Sequence, residues 1–119
     1  MKELSVQELH NLAMNIVGRQ LESEGYEFMA VNSTLKKNPQ FVCIKKKQLY
    51  FIVVKNVSYP EDPKDYDTRM MDKVKELALK NEAKTLYAGL GFANAANAQQ
   101  PVYLNEDYIV DYDGLIEIY

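Results

Sequence analysis

The chain reads as an α/β (α+β) domain of order αβββαβ, with a mixed sheet flanked by helices, and three observations predict it. Apolar residues recur at helical spacing over residues 6–24 and 67–81, whereas those of 26–57 and 85–92 fall in short runs rich in Val, Ile, Tyr and Phe. Residues 49–54 show no polar alternation, the pattern of a strand covered on both faces. Three consecutive strands pair antiparallel with ease, while a helix between the third and fourth is expected to be a right-handed crossover to a parallel neighbour.

The first helix opens at Ser5-Val6-Gln7-Glu8, which has capping-box spacing. Leu9, Leu12, Ala13, Ile16, Val17 and Leu21 form its stripe, and Gly25 ends it. His10, the single histidine, sits beside that stripe and is expected at the surface or boundary. Residues 26–32 make the first strand, and the polar segment 33–39 closes with Pro39, which cannot donate to a central ladder. Phe41–Lys45 and Leu49–Val57 then form a hairpin around Lys46-Lys47-Gln48.

Tyr59-Pro60-Glu61-Asp62-Pro63 interrupts the pattern, and a second helix runs from about Asp67 to Asn81 with Met70, Met71, Val74, Leu77 and Ala78 inward. That methionine-rich stripe is core rather than a cofactor box. Thr85–Phe92 is the fourth strand, and the small residues of Gly89-x-Gly91 permit a bulge or close packing; the third glycine of a nucleotide loop is missing. The closing YIVDYDGLIEIY holds a turn at Asp113-Gly114 and a short final strand, its tyrosines expected to complete the domain's own core.

At 119 residues the chain is one domain with room for a core, and its 47% apolar and 26% charged content is that of a globule. Cys43 is the only cysteine, which excludes an intrachain disulfide and any cysteine cluster; inside an apolar strand it is a buried filler. No run approaches the length needed to span a bilayer, and residues 1–10 lack an apolar signal core, so a cytoplasmic location is expected. The net charge of −3 is uneven. Residues 28–60 carry six lysines (Lys36, Lys37, Lys45, Lys46, Lys47, Lys55) and no acid, whereas residues 101–119 carry five acids and no base. An acidic total opposes strong non-specific nucleic-acid binding, although the lysines offer a local basic edge.

Residues 12–57 carry a Gly25-Tyr26 pair opening the first strand, Asn32 at its end, and a hairpin finishing in an apolar strand with Lys55. In these features the chain resembles the restriction-endonuclease-like PD-(D/E)XK superfamily, specifically its small bacterial YraN-type proteins. The resemblance implies a nuclease fold in which the hairpin carries an Asp and then a Glu-x-Lys, with Lys55 at the position of the catalytic lysine. The acids are missing: Phe41 (or Gln40, one register earlier) stands at the Asp position, Val53 at the Glu position, and Asn15 where the leading helix usually has an acid. Neither valine nor phenylalanine offers oxygen to Mg²⁺, and an ammonium repels it. Nuclease activity, a metal and a cofactor are therefore not expected. Nor does the chain carry the inventory of the flavin-bearing component of a sodium-translocating NADH–quinone reductase, which needs a membrane anchor, a four-cysteine cluster and a flavin domain.

Three functions follow. The leading one is a non-catalytic binding or interaction domain on a degenerate nuclease-like scaffold, its partner unspecified, in which an uncovered apolar face would pair symmetrically into a homodimer. The second is nucleic-acid binding through the six lysines. The third is an enzyme of unrecognised type using the C-terminal carboxylates Glu106, Asp107, Asp111, Asp113 and Glu117, whose spacing does not fit a calcium loop.

Overall fold

The computed structural model describes residues 1–119 as two helices and six strands: α1 (Val6–Ser23), β1 (Glu27–Val31), β2 (Phe41–Lys45), β3 (Gln48–Ser58), α2 (Thr68–Lys80), β4 (Ala83–Asn94), β5 (Tyr108–Asp111) and β6 (Ile116–Ile118). The strands form one mixed sheet in the order β1-β2-β3-β4-β5, with β6 also on β4. β3 and β4 are parallel through α2, over the ten pairs from Leu49↔Ala83 to Ser58↔Phe92, and every other pairing is antiparallel. The αβββαβ order is thus present, and the tail supplies two strands where the sequence suggested one.

Local chemistry sets the boundaries. Ser5 and Glu8 close the capping box of α1: the Glu8 N–H donates to Ser5 Oγ at 3.1 Å and the Ser5 N–H to Glu8 Oε1 at 2.9 Å. At its other end Gly25 takes φ +88°, open to glycine without cost. Asp67 caps α2 by accepting the Met70 N–H at 3.0 Å. The hairpin turn is tighter than expected. Gln48 pairs with Lys45, so only Lys46 and Lys47 lie in the turn, both left-handed at φ 50° and 66°.

Alternation along the strands divides the interior into two layers. Phe41, Cys43, Ile52, Val54, Leu86, Ala88, Leu90 and Phe92 face α1, where they pack with Ala13, Met14, Val17, Leu21 and Val102. On the opposite face Phe51, Val53, Ala83 and Tyr87 meet Met71, Val74 and Ala78 of α2. Burial of Cys43 pushes its thiol up to about 11, in keeping with an inert filler. Two expectations about the helices are corrected. His10 is only 4% exposed, because the inward stripe of α1 runs His10–Ala13–Met14–Val17–Leu21. Leu77 is 46% exposed, because the seam of α2 is centred on Met71, Val74 and Ala78, which leaves Leu77 on its flank.

The tail completes both layers. β5 pairs Gly91 with Asp111 and β6 pairs Tyr87 with Ile116, so residues 88–90 of β4 face residues 112–115. That one-residue excess reverses the alternation. Val110, Tyr112 and Leu115 therefore pack on the α1 layer while Ile116 and Ile118 pack on the α2 layer. Gly114 takes φ +94° in the break, and the Tyr112 hydroxyl hydrogen-bonds the Gln20 side chain.

Candidate functional site

Phe41, Val53 and Lys55 do not converge. Phe41 stands opposite Ile52 and faces α1, stacked at 5.5 Å between centroids on Phe28, with Gly18 making room for its ring. Val53 lies on the other side of the sheet, fully buried beneath Met71 and Val74. Lys55 follows Val53 on the α2 face, opposite Gly89, where the parallel ladder nears its end. Desolvation holds the Lys55 ammonium below its ordinary range, partly offset by the Asp67 carboxylate at the cap of α2.

Gln40, the alternative acid position, has a structural task. Its Oε1 accepts the Val54 N–H at 2.6 Å, and its Nε2 donates to Lys37 O at 2.9 Å and Asn38 Oδ1 at 2.7 Å. β2 begins at Phe41 while β3 runs on to Ser58, so the amide side chain extends the ladder past the strand's start. Both amide hydrogens and the oxygen are engaged.

His10 was missed by sequence reasoning. Its Nε2 is buried without a partner, and burial, then the nearby charge of Lys55, holds the imidazole below its ordinary range. The signal was its place three residues before Ala13 and seven before Val17, within the inward stripe.

The six lysines form no single edge. Lys45, Lys46 and Lys47 sit at the hairpin turn, whereas Lys36, Lys37 and Lys55 lie near the other end of β2. Five residues of strand separate the two groups by roughly 17 Å. Lys45 is engaged locally, 4.8 Å from the centroid of the Tyr26 ring, which itself meets Tyr50 edge-on.

The C-terminal carboxylates are likewise dispersed. Asp113 pairs with Lys64 at 2.6 Å, Asp111 ends β5, Glu117 lies in β6, and Glu106 and Asp107 precede β5. No group of three or more His, Cys, Asp or Glu side chains comes together in a way that holds a metal ion. No helix is long and apolar enough to cross a membrane.

The segment after β3 builds the remaining feature of the α2 face. Tyr59 donates its N–H to Phe92 O at 3.0 Å, and the Tyr87 hydroxyl donates to Pro63 O at 2.9 Å, which pins residues 59–66 across the sheet. Burial pushes Tyr87 up to about 12, so it remains a donor. Gly89 and Gly91 are the reason the segment lies so low: a Cβ on Gly89 would fall 2.0 Å from Pro63 O, and one on Gly91 3.4 Å from Pro63 Cγ. The close packing read from Gly89-x-Gly91 is this contact. Beyond Pro63 the cover stops. Gly91 and Ala93 of β4 floor a hollow of about 280 Å³, bordered by Ile109 and Asp111 of β5 and by Tyr59, Glu61 and Ala98. Larger recesses exist, of about 680 Å³ around Asn94–Asn97 and Tyr103–Asp107, about 580 Å³ between α1 and β1, about 440 Å³ between α1 and Tyr103–Glu106 and about 330 Å³ around Tyr59, Phe92 and Gln99–Val102, but each is more polar in its lining. β1, at the free edge of the sheet, exposes Phe28, Met29 and Val31, and a register shift between Phe28 and Ala30 interrupts its ladder.

No curated protein and no solved structure matches the chain. One family does, over residues 7–118, which take in every helix and strand except the first residue of α1. The chain belongs to that family, described as a domain of unknown function (DUF8840).

Proposed function

We propose that the chain is a non-catalytic binding module, built on a nuclease-like scaffold in which an apolar side chain, Val53, stands where a metal ligand would be needed. The observation that carries the reading is Val53: fully buried under α2, it leaves neither oxygen nor space for a hydrated cation beside Lys55. Lys55 then serves as the point where the central strand leaves the core, its half-buried ammonium held below its ordinary range by burial and partly supported by the charge of Asp67. Gln40, at the alternative acid position, spends its oxygen on the Val54 amide.

Supercoiled plasmid incubated with the protein and Mg²⁺ or Mn²⁺ is expected to stay intact. Nicking that EDTA stops and Lys55→Ala abolishes would overturn the proposal. Nucleic-acid binding without cleavage is the competing function, and the separation of the lysines into two groups of three weighs against one continuous groove. A gel-shift series in rising salt decides it: retardation of DNA or RNA at low ionic strength that disappears with a slope of several counterions would favour the lysines, and no retardation even at low salt would remove them.

A further inference from the structure

We propose that the hollow beside Gly91 binds a small organic cation with an apolar body, such as an arylalkylamine. The inference rests on reading the chain as a binding module and supplies the chemical class of its ligand. Its lining does not include Lys55, which lies on the same face of the sheet opposite Gly89.

Shape comes first. Gly91 and Ala93 lie directly opposite Asp111 and Ile109 on β5, so two minimal side chains on β4 leave a depression between the pinned segment and the neighbouring strand. A cavity of about 150 Å³ lined by apolar groups admits a benzene ring, and the volume here, about 280 Å³, admits one ring with a short substituent. Tyr59 and Ile109 at the mouth are 52% and 55% exposed, large apolar groups that nothing in the fold covers. They sit where the only parallel pair of strands ends at its carboxyl side, the usual place for ligands in open sheets of this kind.

Charge then selects the ligand. Glu61 and Asp111 stand on the rim, and neither has an ion-pair partner. Lys64, whose charge reaches Asp111, is held by Asp113 at 2.6 Å and also lies in the field of Asp62. Anions are therefore in excess around an apolar hollow, so a carboxylate ligand would be repelled and an ammonium drawn to the rim. An aromatic wall at Tyr59 adds the attraction of a ring face for a cation. An apolar ligand without charge would fill the floor and leave both carboxylates as they are.

Backbone-amide NMR of the full chain, titrated with benzylamine, phenylacetate and benzyl alcohol, reads the proposal directly. Benzylamine is expected to give saturable shifts confined to Gly91, Ala93, Ala98 and Ile109, with phenylacetate inert and benzyl alcohol weaker. The exposed double substitution Glu61→Gln with Asp111→Asn, which removes both charges without touching the core, is expected to weaken benzylamine roughly fivefold. Ala98→Leu is expected to abolish the shifts by filling the hollow. Absence of localised shifts, phenylacetate binding as well as benzylamine, or equal affinity for benzyl alcohol would each overturn it. So would dilution shifting the same amides without ligand, which would assign the hollow to a second copy of the chain. DNA cleavage would instead remove the binding-module reading while leaving these titrations to be judged on their own.

Discussion

The two faces of the sheet are finished differently. On one, an 18-residue helix with a closed capping box covers a cluster of 13 buried residues, and the tail adds Val110, Tyr112 and Leu115 to seal it. On the other, a 13-residue helix covers only seven, and closure falls to an irregular segment that lies against two glycines and then stops short of β5. The closed face is where the chain stores its stability. The half-covered face carries the hollow proposed above as a ligand site. Binding sites are built on a rigid floor by segments with little packing of their own, and here the floor is supplied by the strands that the α1 layer holds in place.

The most direct way to break this comparison is to open an equal hole on each face. Ile52 and Met71 are both fully buried, one in each cluster. Ile52→Ala is expected to cost about 4 kcal/mol by chemical denaturation, because the α1 layer is enclosed and cannot collapse around the gap. Met71→Ala is expected to cost about 2.5 kcal/mol, since α2 is shorter and borders open surface. Equal losses would show that the two faces are equally rigid, and the contrast would be gone.

Gly89→Ala sharpens the contrast from the other side. Its Cβ would meet Pro63 O at 2.0 Å, and a backbone carbonyl cannot turn away as a flexible side chain can. A loss of about 2 kcal/mol is expected, together with loosening of the segment. Faster amide exchange at Tyr59 than at Val54 would mark that loosening. An unchanged melting temperature would mean that residues 59–66 are not packed on the sheet as described.

His10 is the flaw in the closed face. The folded state holds its imidazole below the ordinary 6.5, so the unfolded chain takes up the proton first as pH falls. The unfolded state then binds more protons, and stability drops through the window that opens at about 6.5 and ends at the lower folded value. Above 6.5 neither state is protonated there and the effect vanishes. His10→Leu is expected to flatten this limb below about pH 6.5, and to match or exceed the parent in stability at the acid end, because the orphaned Nε2 goes with it. A limb of undiminished slope in His10→Leu would place the titrating group elsewhere.

What sequence patterns could show was set by local rules. The capping box at Ser5, the hairpin and the continuous apolarity of residues 49–54 depend on residues close in the chain, and each predicted its element. The depth of His10 depended on how α1 rotates onto the sheet, which a stripe of spacing 3.6 fixes only to within about one residue. The split of the tail into β5 and β6 was hidden because its register is decided by β4, with residues 112–115 as the slip. The hollow was least legible of all. Gly89-x-Gly91 signalled close approach, but the partner, Pro63, lies 26 residues from Gly89, and Glu61 and Asp111 border one hollow only because residues 59–66 lie over β4 while β5 pairs beside it. The six lysines, conversely, look continuous in sequence and are divided by the length of β2.

A change that touches neither face gives the finest control on the comparison. Lys46 and Lys47 form a two-residue turn with φ 50° and 66°, a backbone that asparagine and glycine adopt far more readily than lysine. Replacing the pair by Lys46→Asn with Lys47→Gly is expected to raise stability by about 1 kcal/mol, part of the left-handed cost being recovered and part returned as glycine's extra freedom in the unfolded chain. Because the turn belongs to neither layer, the gain should add unchanged to the losses of Ile52→Ala and of Met71→Ala. A gain that appears in one background and not the other would mean that the hairpin is coupled to one face, and that the two layers do not stand as independent halves of the core.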